Sequence, residues 1–193
     1  MHFSFSRRHF LTISAMTLGA LAAGGLFRPA RAASSGTLIA YFSWSGNTRG
    51  IARLLHRKIG GDLVEIEPVT PYSEDYNTCL EQARSDQERG ARPKLKTTIA
   101  DMARYDTVFL GYPNWWATIP MPVASFLEQY DFSGKTIVPF ASHGGGRLGQ
   151  SITDIAKLCP SSRLLEPLSV RYSGGSALSR DMDAWLERIG MKG

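Results

Sequence analysis

The sequence predicts an α/β fold: a doubly wound, three-layered parallel sheet of five strands in the order 2-1-3-4-5. Three observations predict it. Short apolar runs alternate with longer segments of helical periodicity along a chain of 193 residues, the length of one domain. Residues 37–42 and 107–111 are continuously apolar, as parallel strands covered on both faces are. Gly, Pro, Ser and Asn cluster at the junctions between the two kinds of segment. Right-handed crossovers then restrict the topology, and this strand order puts a switch point between strands one and three, where ligands bind outside the carboxyl ends.

Each element has its own justification. Residues 37–42 form strand one, and 48–59 a helix with Ile51, Leu54, Leu55 and Ile59 on one face, ended by Gly60-Gly61. Residues 63–67 alternate as strand two and stop at Pro68; 75–89 read as a polar, solvent-facing helix and 90–96 as a loop. Strand three is 107–111, followed by a short helix over 122–130 that turns Val123, Phe126 and Leu127 inward. After a Ser133-Gly134 turn come strand four (135–141), a helix (149–158) and a fifth strand (162–170). The last helix, 177–189, has Leu178, Met182, Trp185 and Ile189 in phase.

The net charge of +5 and a pI near 9.4 invite a nucleic-acid reading, which the location of the charge excludes. Arg7, Arg8, Arg28 and Arg31 lie in the first 32 residues, which hold no Asp or Glu; without those four of its 22 basic residues, the chain carries 18 against 17 acidic ones. Ser6-Arg7-Arg8-His9-Phe10-Leu11-Thr12 resembles a twin-arginine export motif, an apolar run over 11–27 follows, and Ala30-Arg31-Ala32 offers a cleavage site before Ala33. The expectation is a removable signal over 1–32, a domain over 33–193, and export to a bacterial periplasm. A retained anchor is the alternative, but the run falls short of the ~20 apolar residues a span needs, so no stable membrane span is expected after cleavage. Cys79 and Cys159 belong to no C-x-x-C pair and are expected as buried thiols, their spacing leaving any pairing open; no His/Cys cluster has metal-ligand spacing.

Three loops leave strands one, three and four. The first, Ser43-Trp44-Ser45-Gly46-Asn47-Thr48, opens a helix. Its hydroxyls, a glycine permitting close backbone approach, and successive N–H groups at a helix start make a phosphate cradle without Lys or Arg. A helix cap alone would need one such residue, and five of these six are Ser, Gly, Asn or Thr. No Gly-Lys-Ser/Thr closes the loop, so it is not a Walker A loop. The second loop carries Trp115 and Trp116 in tandem, rings that either pack beneath the loop or stack on a flat heteroaromatic ligand. The third, Ser142-His143-Gly144-Gly145-Gly146-Arg147-Leu148-Gly149, contains a G-x-G-x-x-G spacing; it follows the fourth strand rather than opening the first βαβ unit, which makes dinucleotide binding a minor reading.

Ser43-x-Ser45-Gly46-Asn47-Thr48 resembles the T/S-x-T/S-G-x-T loop that holds the FMN 5′-phosphate in flavodoxins. Gly111-x-Pro113-x-Trp115-Trp116 resembles a loop that embraces the isoalloxazine in a subset of flavodoxin-like proteins. Ser142-His143-Gly144-Gly145-x-x-x-Gly149 resembles the T/S-H-G-G-x-x-x-G segment along the flavin's pyrimidine side in the same subset. The resemblance spans residues 37–189 and implies a flavodoxin-like fold with FMN as cofactor. Phosphate contacts fall to Ser43, Trp44, Ser45, Gly46, Asn47 and Thr48. Ring contacts fall to Pro113, Asn114, Trp115, Trp116 and Ala117 and to Ser142, His143, Gly144, Gly145 and Gly146, whose amides would meet the negative charge that reduction places on the ring.

The function so implied is electron transfer to a redox partner protein or a small-molecule acceptor. The alternative is an FMN-dependent NAD(P)H:quinone or small-molecule oxidoreductase, with Tyr76 and His143 as candidates to protonate a substrate; a non-redox FMN-binding module is a third reading. Two departures stand out. Many flavodoxins are strongly acidic where this chain, without its first 32 residues, is near neutral. Short-chain members often place a glycine where a peptide flip meets the flavin, and residues 114–118 contain none.

Overall fold

The computed structural model describes residues 36–191, so the expected export signal over 1–32 lies outside the described residues. The chain alternates β1 (Gly36–Tyr41), α1 (Asn47–Ile59), β2 (Asp62–Glu65), α2 (Tyr76–Glu88), β3 (Tyr105–Pro113), α3 (Met121–Gln129), β4 (Thr136–His143), α4 (Ser151–Leu158), β5 (Arg163–Leu164), β6 (Leu168–Arg171) and α5 (Leu178–Arg188). All pairings among these strands are parallel, in the order β2-β1-β3-β4-β5, with β6 also on β4. This is the doubly wound sheet expected from the sequence.

Because successive strand residues point to opposite faces, the apolar runs feed two cores. Leu38, Ala40, Val108, Leu110 and Ile137 pack with Val123, Phe126 and Leu127 of α3 and Ile155 of α4. Ile39, Phe109, Val138 and Phe140 pack with Ile51 and Leu55 of α1 and Met182 and Trp185 of α5. Burying a Leu, Ile or Phe of this kind contributes about 1.5–3 kcal/mol each, so the central strands are the stable frame on which the loops stand.

The fifth strand differs from expectation. A single strand over 162–170 is replaced by β5 and β6, both paired with β4 but separated by Leu165-Glu166-Pro167. Leu165 still donates its N–H to Ile137 O (3.0 Å), but Pro167 has no N–H to continue the ladder. Glu166 turns its carbonyl to accept the indole N–H of the buried Trp185 at 2.9 Å.

Candidate functional site

β1, β3 and β4 end side by side, which brings their loops to one edge. Tyr41 pairs with Gly111, Gly111 with Phe140 and Pro113 with Ser142. Gly111 is required here: a Cβ would stand 2.2 Å from the Phe140 ring and 2.8 Å from Tyr41 Cβ.

Loop one turns through Gly46, left-handed at φ 88, with nothing within 4 Å of where a Cβ would project. Ser43 Oγ accepts the Arg49 N–H (3.2 Å), and the Gly50 N–H to Gly46 O bond (2.9 Å) starts the helical ladder. Among the described residues, the N–H groups of Ser45, Gly46, Asn47 and Thr48 have no hydrogen-bond partner. The first turn of α1 carries no acidic residue, so these donors and the positive end of the helix dipole form an uncancelled anion nest. Arg49 is not free to supplement it, being held by Glu65 through two bonds of 3.0 and 2.5 Å.

Thr48 reaches the other way. Its Oγ1 is buried 2.8 Å from Ser142 Oγ of β4, so it would offer an anion its backbone amide rather than its hydroxyl. Trp44 spans toward α2, donating its indole N–H to Ser73 O (2.8 Å) with its ring 6.1 Å from that of Tyr76, which is exposed.

The tandem tryptophans of loop two part company. Trp115 turns inward, edge-on to Phe42 (5.3 Å) and Tyr72 (5.1 Å). Trp116 turns outward, its indole N–H donating to Leu80 O (3.1 Å) and the Arg84 guanidinium 5.4 Å from its ring. Trp115 and Thr118 exchange two 3.0 Å backbone bonds around Trp116 (φ 47) and Ala117 (φ 65). Left-handed geometry at both central positions is that of a type I′ turn, which Gly and Asn favour. Here it is built without either, a strain of the kind that collects at functional sites.

Loops two and three are bound together. Asn114 donates its backbone N–H to Ser142 O (2.8 Å) and its amide to Arg147 O (2.6 Å) and Gly146 O (3.2 Å). Gln150 N–H meets Ala117 O at 2.7 Å, and Thr118 Oγ1 donates to Asp154 at 2.5 Å. Gly144, Gly145 and Gly146 are exposed beyond β4. His143 is half-buried; its Nδ1 is buried without a partner among the described residues. Burial, then the charges of Arg147 and Arg171, hold its pKa below the ordinary 6.5.

A fourth segment, absent from the sequence reading, completes the edge. Tyr172, after β6, is left-handed (φ 51) and exposed, and its N–H donates to His143 O at 2.8 Å. A lone Tyr between Arg and Ser carries no periodic or motif signal that would have exposed it.

A cleft of about 270 Å³ opens beside loop one, bordered by Ser43, Trp44, Glu65, Tyr72 and Glu74; a larger cavity of about 860 Å³, against α2, includes none of the predicted site residues. Cys79 and Cys159 are free and buried, and burial pushes both thiols up to about 11. Among the described residues no group of His, Cys, Asp or Glu could hold a metal ion, and no helix is long and apolar enough to cross a membrane.

A parallel sheet with an anion nest and a ring-bearing loop at its switch point defines a class of small α/β ligand-binding proteins. The chain belongs to the flavodoxin family, whose profile matches residues 36–189. Among solved structures it is similar to a candidate flavoprotein from Bacteroides eggerthii DSM 20697 (34% identity over 82% of this chain and 99% of that one, TM-score 0.72). A second, from Bacteroides uniformis ATCC 8492, is 27% identical over 80% and 99% of the two chains, with TM-score 0.68. A flavoprotein from Lactobacillus acidophilus NCFM, solved in complex with FMN, shares the fold at 19% identity over 81% and 99% of the two chains and TM-score 0.63. No curated protein matches the chain.

Proposed function

We propose that this chain is an FMN-binding electron-transfer protein, exported to the bacterial periplasm by the twin-arginine-type signal. The observation that carries the reading is the row of four unpartnered N–H groups at the start of α1, beside loops that can flank a flat ring. Membership of the flavodoxin family and the FMN found in the Lactobacillus acidophilus flavoprotein support the same cofactor. Bound FMN would supply reversible electron transfer. The chain's part is to hold the phosphate on uncharged donors through residues 43–48, to position the ring with residues 113–117 and 142–146, and to keep water from its inner face with Trp115.

Purified protein is expected to be yellow, and apoprotein to take up FMN stoichiometrically. Ser45→Asp sets a carboxylate on an exposed loop position beside the nest and is expected to weaken FMN binding roughly tenfold or more, about 1.4 kcal/mol, with an unchanged melting temperature. Colourless protein that ignores added FMN defeats the proposal, as does a Ser45→Asp variant with parental affinity.

The second reading, an FMN-dependent NAD(P)H:quinone or small-molecule oxidoreductase, is favoured by the exposed rings of Tyr76 and Trp116 at the rim, which leave the edge accessible to a small substrate. Stopped-flow mixing with NADPH separates the two: direct bleaching of the flavin marks the reductase, and none without a partner protein marks the carrier.

A further inference from the structure

We propose that Arg147, Arg171 and His143, walled by the ring of Tyr172, form a second ligand site at the carboxyl edge, which takes the anionic group of a small planar electron donor or acceptor. The inference rests on the redox reading for the identity of its ligand, and on the structure for its location.

Four observations converge there. The first is placement: β4 and β6 pair with His143 opposite Arg171, and the Tyr172 N–H donates to His143 O at 2.8 Å, so the turn after β6 is seated on loop three. A Cβ on Gly144 would lie 3.6 Å from the Tyr172 ring, so the ring stands directly over that loop.

The second is charge. Arg147 and Arg171 are exposed and, among the described residues, neither meets a carboxylate, whereas Arg49, Arg92 and Arg188 all do. Both guanidiniums act on the His143 imidazole, disfavouring its protonation. Two like charges around a basic ring are repulsive until an anion sits among them. At the other end of the edge the cleft beside loop one mixes Glu65, Glu67 and Glu74 with Arg49 and Lys96, and Arg49 is already held by Glu65, so the edge's arginines without a carboxylate partner are found at the β6 end.

The third is strain. Arg147 (φ 52) and Tyr172 (φ 51) are two of the four non-glycine residues with positive φ among the described residues, a geometry costing about 1 kcal/mol or more per residue. Each backbone is pinned, Arg147 by Asn114 and Tyr172 by His143, which holds the two side chains at the same corner.

The fourth is room. A cleft of about 410 Å³ adjoins the corner at Arg171 and Tyr172 and is otherwise bordered by Val170, Gly174, Leu178 and Asp181; Arg147 and His143 stand outside it, so it would take the rings of a ligand whose anionic group reaches the corner. The Asp181 carboxylate that also borders it is already paired with Arg180 at 3.5 Å. The Arg171 guanidinium lies 5.5 Å from the Tyr172 ring centre, so cation and stacking surface are presented together.

The test titrates apoprotein and FMN-loaded protein with anthraquinone-2-sulfonate, with the uncharged quinone menadione, and with NADPH, following tryptophan fluorescence. An anionic probe is expected to bind at least tenfold more tightly than menadione, and to weaken as salt is raised. Arg147→Gln/Arg171→Gln should erase that preference, while Arg147→Lys/Arg171→Lys retains most of it. Tyr172→Asn, which tolerates the left-handed backbone, should weaken charged and uncharged rings alike. Preference for the sulfonate assigns the corner to an acceptor, and preference for NADPH to the phosphates of a donor. Equal binding of all three probes, or a preference that survives the double Gln variant or high salt, overturns the proposal. FMN uptake is recorded on the same samples. A parent protein that takes no FMN yet keeps the anion preference refutes the redox reading and leaves the corner standing.

Discussion

Thr48 and Ser142, 94 residues apart in sequence, face each other with hydroxyl oxygens 2.8 Å apart and both side chains buried. The contact fastens the start of α1 to the end of β4, and so couples the anion nest to the glycine-rich loop. Either oxygen can donate, so the pair satisfies itself and exposes nothing to water.

Removing one partner strands the other. Thr48→Val should destabilise the fold by about 1–3 kcal/mol, the cost of a buried unpaired hydroxyl. Thr48→Val/Ser142→Ala should lose less than the two single variants combined. Urea unfolding of the four proteins measures the coupling, and additive losses would contradict it.

Gly149→Ala should cost more than an ordinary helix-start substitution. Its φ is 53 and its Cβ would fall 2.2 Å from Ala117 O, a backbone atom that no rotamer change can move away. We expect a lower melting temperature together with weaker FMN binding, because the clash pushes apart loops two and three; Gly134→Ala, which has the same left-handed sense (φ 72) but nothing within 4 Å and lies outside the proposed FMN contacts, is the comparison.

Acidification should expose the environment of His143. Its pKa is depressed in the fold below the ordinary 6.5, by burial first and by Arg147 and Arg171 after it, so the unfolded chain takes up a proton before the folded one does. The stability this represents is complete above about pH 6.5 and drains away as pH falls through the folded value. His143→Asn should flatten that part of a plot of urea midpoint against pH; an unchanged slope would place the titration elsewhere.

The two cysteines should be silent in the native protein. Burial raises both thiols to about 11, leaving almost no thiolate at neutral pH. A disulfide-exchange reagent such as DTNB should react with neither thiol until denaturant is added, and then with both. Rapid native labelling of either would show that its site opens.

The frame of this fold was legible because β1, β3 and β4 are covered on both faces, which leaves a run of apolar residues that no surface strand shows. The turn of loop one into α1 was legible for a different reason, since a glycine among small polar residues marks a left-handed entry to a helix, which Gly46 supplies at φ 88. The divided fifth strand was not read, although Pro167 announced it; the apolar residues on either side resemble one continuous run. The outward turn of Trp116 was hidden because left-handed geometry at Trp and Ala contradicts local preference and is imposed by bonds from α2 and Thr118. Tyr172 was invisible for a related reason: its position follows from pairing between β6 and β4, a long-range fact with no local signature.

The clasp of Asn114 and Ala117 on Gly146, Arg147 and Gln150 makes two loops a single interchangeable cassette. Transplanting either stretch alone into a related scaffold would leave carbonyls without donors on the recipient, whereas moving both would carry the bonded pair of loops intact. Divergence among relatives at this rim would then have to proceed by paired changes, one on each side of the seam.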